Sequence, residues 1–220
     1  PDPLAPLQER ASRFARLAPR ERAALLQALL PRLAAAAPEL CALACQGRGV
    51  DPASAAGAPA WTAGVVPLIA SVRSLGASLA EIAAKGRPSL GAVKRGKDGR
   101  ARLRVKASRL AARLHASGSE VELRFEEGVT REAVLAGQAR AYQQAGEAQG
   151  GVAIIGGVDL LCEGMPRALH ALFVEGKVAQ VEADAASAAL LPRLAELFAP
   201  LIEPGWLRLS AAPEGHDLPV

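Results

Sequence analysis

Aromatic residues are scarce in this sequence: four Phe, two Trp and one Tyr make up 3% of its 220 residues. Any core must be packed with small and branched side chains, chiefly the Ala and Leu that dominate a 50% hydrophobic composition. Cysteine is as sparse. Cys41, Cys45 and Cys162 are too few and too unevenly spaced for a disulfide framework or a four-ligand metal site, and His115, His170 and His216 share no ligand spacing. No metal site is expected. Uninterrupted apolar runs of roughly 18 to 20 residues are missing, because Arg, Glu or Pro breaks every one, so no membrane span is expected. The opening Pro1-Asp2-Pro3 lacks the basic-then-apolar layout of a secretory signal. A cytoplasmic protein is the expectation. The only Met is Met165, so the chain reads as processed, trimmed or excerpted. No G-x-G-x-x-G, Walker loop, H-E-x-x-H or G-x-S-x-G occurs.

The net charge of +4 is local in origin. Lys94, Arg95, Lys97, Arg100, Arg102, Arg104 and Lys106 put seven cations beside one anion, Asp98, within thirteen residues. That segment carries +6, so the rest of the chain sums to -2. Asp98-Gly99 sits between its two short halves, and Asp-Gly is a signal for a type I′ hairpin turn because both residues tolerate positive φ. A basic β-hairpin over Val93 to Val105 is predicted. Binding to a phosphate backbone is disfavoured because no aromatic residue lies among these cations to stack a base. A solvated or oligomer-facing hairpin is the simpler reading, consistent with a homo-oligomer.

What the sequence does contain is periodicity. From Leu4 to Gly47, Leu7, Phe14, Leu17, Leu25, Leu26, Leu29, Leu30, Leu33, Leu40 and Leu43 recur at helical spacings. Pro19 suits the first turn of a new helix, while Pro31 and Pro38 are expected to kink or divide that helix. A loop over Arg48 to Pro59 leads into a second helical rhythm from Trp61 to Lys85, which Gly86, Arg87 and Pro88 stop. From Glu120 the pattern changes to short apolar runs alternating with helices. Strands are predicted at Val121 to Phe125, Gly151 to Ile155, Val178 to Val181 and Trp206 to Leu209. Helices are predicted at Thr130 to Gln144, Pro166 to Val174 and Leu190 to Ile202, with Thr130 a plausible N-cap. Strand and helix in alternation, joined by short connections, indicate βαβ units around a parallel sheet. In such sheets ligands bind beyond the carboxyl ends of the strands.

The segment Gly151-Val-Ala-Ile-Ile-Gly-Gly-Val158 reads as a buried strand entering a glycine turn. It is followed by a helix, by Val174-Glu-Gly-Lys-Val-Ala-Gln-Val-Glu-Ala-Asp184, by a second helix and by Pro200-Leu-Ile-Glu-Pro-Gly-Trp-Leu-Arg-Leu209. This order resembles the cofactor domain of the aldehyde dehydrogenase superfamily. Upstream, Gly128-Val-Thr-Arg-Glu-Ala-Val-Leu135 with Tyr142 is similar to the helix leading into that strand in divergent members, and Leu17-Ala-Pro-Arg-Glu-Arg-Ala-Ala-Leu-Leu26 is similar to the family's N-terminal helix opening. The resemblance covers residues 10 to 210, most closely 128 to 209, and rests on pattern and short phrases.

The resemblance implies that Ile154 and Ile155 wall the nicotinamide of NAD (or NADP) and that Gly156 and Gly157 let the chain pass close to it. The family's usual asparagine-bearing turn is replaced by Gly156-Gly157-Val158. An oxyanion donor of that kind is worth on the order of 100-fold or more in rate, and its loss argues against ordinary chemistry. The family's ribose-binding lysine falls on Glu182, which can accept bonds from ribose hydroxyls and repels a 2′-phosphate, favouring NAD over NADP. The nucleophilic cysteine and general-base glutamate lie downstream of the matched region, so no catalytic residue is assigned. Cys162, among Leu160, Leu161 and Glu163 with no His or Lys beside it, reads as inert; Cys41 and Cys45 read as small core residues.

The expected architecture is therefore α/β and incomplete: an N-terminal helical layer (1–90), a basic β-hairpin with its connecting segment (91–119), and a partial Rossmann-like cofactor-binding domain (120–220). Two functions fit. One is an aldehyde dehydrogenase-like NAD(P)-dependent oxidoreductase, oxidising an aldehyde or reducing an acyl group, represented by a chain without its catalytic cysteine domain and inactive alone. The other is a non-catalytic scaffold or binding module built on the same fold.

Overall fold

The computed structural model describes residues 5–105, 121–143 and 150–212. Residues 106–120, among them Lys106 and His115, and His216 lie outside them. Two compact units form, one from residues 1–80 and 144–220 and the other from 81–143. The division at 1–90, 91–119 and 120–220 follows chain order, whereas the larger unit joins the front of the chain to its back.

In the larger unit, α1 (Ala5–Ala15) is followed by α2 (Pro19–Gly47). Pro19 opens α2 as expected, and the Glu21 carboxylate accepts the Ala18 N–H at 2.8 Å, satisfying one orphan donor of the first turn. Pro31 and Pro38 do not divide this 29-residue helix. Both are exposed, so water can take the carbonyls whose bonds they remove, while Leu26, Leu29, Leu33, Leu40 and Cys41 keep one buried stripe running past them. A 3-10 turn (Ala55–Gly57) and a π turn (Ala60–Val65) lead into α3 (Val66–Lys85).

The parallel sheet is β4 (Val152–Val158), β5 (Val178–Ala183) and β6 (Leu207–Ala211), in that order. A π turn (Leu160–Gly164) and α6 (Met165–Phe173) connect the first pair. A 3-10 turn (Ala185–Leu190), α7 (Leu191–Leu197) and α8 (Ala199–Ile202) connect the second. The βαβαβ alternation expected from the sequence is present from Val152 onward.

Scarce as they are, three of the aromatics meet in one place. Phe14 of α1 packs edge-on to Phe173 of α6 at 6.1 Å and against Trp206, ahead of β6, at 5.3 Å. Arg22 lies over the Phe14 ring, 4.6 Å from its centroid, and is only 2% exposed. Its guanidinium donates to the carbonyls of Phe14 and Ala15 at 2.9 Å and of Leu172 at 3.1 Å. A cation is thus set against the negative ends of both α1 and α6, tying the front of the chain to the sheet layer.

The smaller unit holds β1 (Val93–Arg95), β2 (Ala101–Val105) and β3 (Val121–Arg124) in an antiparallel meander. This corrects the assignment of Val121 to Phe125 to the parallel sheet: β3 pairs Leu123 with Leu103 and Glu122 with Arg104. Its short apolar alternation is equally compatible with either partner, and the hairpin is the partner near in sequence. The hairpin itself forms as predicted, but its turn is not type I′. Gly99 has φ +78° while Asp98 does not enter the positive-φ region. The Gly99 N–H bonds to the Gly96 carbonyl at 3.0 Å and the Gly96 N–H to the Arg100 carbonyl at 2.8 Å. This is a three-residue loop with Gly99 as the left-handed residue of a bulge. The helix predicted from Thr130 to Gln144 is two, α4 (Arg131–Ala136) and α5 (Arg140–Gln143), broken at Gly137 and by Ala139 at φ 54°. Thr130 caps α4 through the Ala133 N–H at 3.1 Å. The core of this unit is Val93, Ala101 and Leu103, with Phe125, Val134 and Leu135 against it.

By length and mean hydropathy, Pro19–Gly47 and Ala55–Lys85 each reach what a membrane crossing requires. Counting uninterrupted apolar residues missed this, because isolated charges lower an average less than they break a run. In α2 the apolar stripe is buried within the larger unit, the pattern of a core helix.

Candidate functional site at the carboxyl ends of the parallel strands

Alternation along β4 separates the two isoleucines proposed as one wall. Ile155, opposite Val181, is buried at 4% exposure, while Ile154, opposite Gln180, is 55% exposed. Successive strand residues face opposite sides of a sheet, so only Ile154 shares a face with Gln180 and Glu182. Gly156 and Gly157 do not form a turn beyond the strand. Pairing runs from Ile155 with Val181 to Val158 with Ala183, so two glycines stand where β5 offers Glu182 alone. They make a β-bulge, with Gly157 at φ +61° in the conformation that glycine adopts without strain.

The structure does bring Gly156 to Glu182. A Cβ on Gly156 would lie 3.3 Å from Oε2 of Glu182, so a side chain there would press on the carboxylate. Oε1 of Glu182 accepts a bond from the Gln180 side-chain amide at 2.9 Å. The acidic group proposed to meet a ribose is therefore already engaged by a neighbour on its own strand.

Sequence reasoning passed over the residues that dominate these strand ends. β4 ends at Val158, and Asp159 Oδ1 accepts the N–H groups of Leu161 at 3.0 Å and Cys162 at 2.8 Å. The Asp159 backbone carbonyl accepts those of Glu163 and Gly164. The Leu160 N–H donates to Ser187 Oγ at 3.1 Å, and Ser187 is 3% exposed. After β5 the pattern repeats, with Asp184 Oδ1 accepting the Ser187 N–H at 2.7 Å. Arg48, at the carboxyl end of α2, forms an ion pair with Asp159 and lies 4.0 Å from Cys162 Sγ. A Cβ on Gly47 would overlap the Ala186 carbonyl, so α2 ends in close backbone contact with the turn after β5. An aspartate placed directly after an apolar run is an N-cap signature, and it was the available signal for both.

These bonds decide what the strand ends can hold. A pyrophosphate in an open α/β sheet is received by free N–H groups at a helix start. Here Leu160 to Gly164 and Ser187 donate theirs to internal acceptors, with Asp184 and the Arg48–Asp159 ion pair beside them. The N–H groups at these strand ends do not fit the pyrophosphate of a dinucleotide.

Cys41 and Cys45 are buried in α2, whereas Cys162 is exposed. Burial, reinforced by Cys45 nearby, pushes the Cys41 thiol up to about 11, which leaves it protonated at neutral pH and without nucleophilic character. In the smaller unit, a cleft of about 700 Å³ lies between the hairpin and the approach to α4. Lys94, Arg95 and Arg131 face Asp98, Glu127 and Glu132 around it, while Arg102 pairs with Asp98 and Glu122 at 3.0 Å. The fold brings Glu122, Glu127 and Glu132 beside the cations that stood out in sequence.

Comparison of the chain with known protein families, curated proteins and solved structures finds no match.

Proposed function

We propose that this chain is a non-catalytic relative of the aldehyde dehydrogenase fold, a βαβαβ body used as a scaffold or binding module without a working dinucleotide site. The observation that carries the reading is the satisfaction of the N–H groups after β4 and β5 by Asp159, Asp184 and Ser187. Release of those groups to a pyrophosphate would break the caps of both crossovers, each worth about 1 kcal/mol, and would set the ligand beside two carboxylates. The replacement of the family's usual lysine by Glu182, held by Gln180, supports the same reading.

A second reading, the cofactor part of an NAD-dependent aldehyde or acyl oxidoreductase, is favoured by one feature. Glu182 lies next to the bare backbone of Gly156, where it could accept from ribose hydroxyls. Isothermal titration with NAD and with NADP separates the two. The scaffold reading expects no saturable heat for either nucleotide into the millimolar range. Micromolar NAD binding that Glu182→Ala abolishes, with NADP weaker because of its 2′-phosphate, would overturn it.

A further inference from the structure

The smaller unit carries a charge that the rest of the chain does not. Residues 81–143 hold fourteen Lys and Arg against seven Asp and Glu, a net +7, whereas the remaining residues sum to -3. The meander sorts part of that charge onto one side. Val93, Leu103 and Leu123 stand opposite one another across β1, β2 and β3, as do Lys94, Arg102 and Arg124, and Arg104 faces Glu122. Alternation puts the first set on the side of the apolar core, where Val134 and Leu135 pack, and the others on the outer face.

Among the described strand residues that outer face holds four cations and one carboxylate. Lys94, Arg104 and Arg124 are exposed, and Lys97 adds an exposed cation in the hairpin loop. Glu122 pairs with Arg102 at 3.0 Å and lies 3.6 Å from Arg124, while Asp98 in the loop takes the other arm of Arg102 at 3.0 Å. These carboxylates fix the guanidinium in the middle of the row and leave the face positive. Neighbouring strands lie about 4.8 Å apart, so Lys94 and Arg124 stand roughly 10 Å from one another across the sheet. That span is comparable to the grooves of B-DNA, about 6 and 12 Å wide, so long side chains at its two ends reach phosphates on either side of one groove.

We infer that the outer face of this meander binds the phosphate backbone of a DNA duplex without reading its sequence. Guanidinium and ammonium groups are the donors that phosphate oxygens take, and neutralising the phosphates releases the counterions condensed on the duplex. The lack of aromatic residues among these cations counts against a single strand, whose bases need a stacking platform. It does not count against a duplex, which can be held with no base-specific contact. The face lies in the smaller unit and acts whatever the parallel sheet binds.

The test titrates the full chain into a short dye-labelled DNA duplex at rising salt, read by fluorescence anisotropy. With phosphate contacts from Lys94, Lys97, Arg104 and Arg124, affinity is expected to fall about 100-fold between roughly 50 and 200 mM salt. The matching single strand is expected to bind about tenfold more weakly. Lys94→Gln with Lys97→Gln and Arg124→Gln is expected to weaken duplex binding by about tenfold or more at low salt and to flatten its salt dependence, with the melting temperature retained. Lys94→Arg with Lys97→Arg keeps the charge and is expected to bind as the unsubstituted chain does. Arg13→Gln with Arg16→Gln and Arg73→Gln removes the same charge from the larger unit and is expected to leave affinity within about twofold. No binding at low salt, tighter binding of the single strand, or an equal loss from the two triple variants would each overturn the proposal. Capture on phosphatidylserine vesicles through Lys94, Lys97 and Arg124, with no binding of the duplex, would overturn it in favour of a membrane surface.

Discussion

The two compact units are held together by different physics. The larger one buries leucines and alanines along α2 and α6 and apolar residues of all three parallel strands, and ties its layers with a buried guanidinium. The smaller one has three buried apolar residues at its centre and a surface mesh of Arg100, Arg102, Arg124, Asp98, Glu122 and Glu127. Exposed ion pairs are individually worth little, so the smaller unit is expected to open at lower free energy and to respond to pH. The larger one should respond to changes in packing and in buried hydrogen bonds.

The largest effect that sharpens this comparison is expected from Arg22→Met, which keeps the aliphatic stem but leaves buried carbonyls of Phe14, Ala15 and Leu172 without their donor. A loss of about 3 kcal/mol should appear in urea denaturation followed by fluorescence of Trp206. A loss below about 0.5 kcal/mol would show that the cation is not what joins these layers. In the smaller unit, Leu103→Ala should cost about 2 kcal/mol, read as faster amide exchange in β1 to β3. Equal acceleration in β4 to β6 would break the distinction between the units. Asp184→Ala removes one N-cap and should cost about 1 kcal/mol, with Asp184→Asn largely restoring it. If Asn fails to restore it, the charge and not the cap is what matters after β5.

The smallest effect is a local response to acid at Glu81 and Asp98 of the smaller unit. Bonding to the Ser89 backbone and side chain lowers the Glu81 carboxyl below its ordinary 4.5. Burial tends to raise Asp98, but the Arg102 side chain and the Arg100 N–H outweigh it and leave Asp98 below its ordinary 3.8. Groups lowered on folding stabilise fully above their unfolded values, and that contribution is lost as pH falls through the folded ones. The amide signals of Ser89 and Arg100 are therefore expected to lose protection as pH drops below about 4, while those of β5 hold. Glu81→Gln should flatten the response at Ser89. An unchanged response in that variant would exclude Glu81 as its source.

Much of this was legible from residues near one another in the chain. The apolar spacing marked α2, α3 and α6, Asp98-Gly99 marked the hairpin, and Thr130 marked the start of α4, because helix stripes, turns and caps are made within a few residues. The candidate site was legible in part. Gly156 and Glu182 meet, yet Ile154 and Ile155 part to opposite faces, and a glycine pair that reads as a turn is a bulge within β4. The division of labour among Asp159, Asp184 and Ser187 was hidden because Leu160 donates to a hydroxyl 27 residues away.

The sequence by itself determined the alternation of helix and strand from Val152 to Ala211 and the absence of a disulfide framework or zinc-type ligand spacing, since periodicity and composition encode those directly. Tertiary structure alone decided that β3 joins the hairpin, that α2 runs past two prolines, and that Arg22 caps a helix 150 residues further along. It also decided that the amides a phosphate would need are already taken. A strand's partner and a polar group's acceptor depend on which distant segments meet, and local pattern carries no record of that choice.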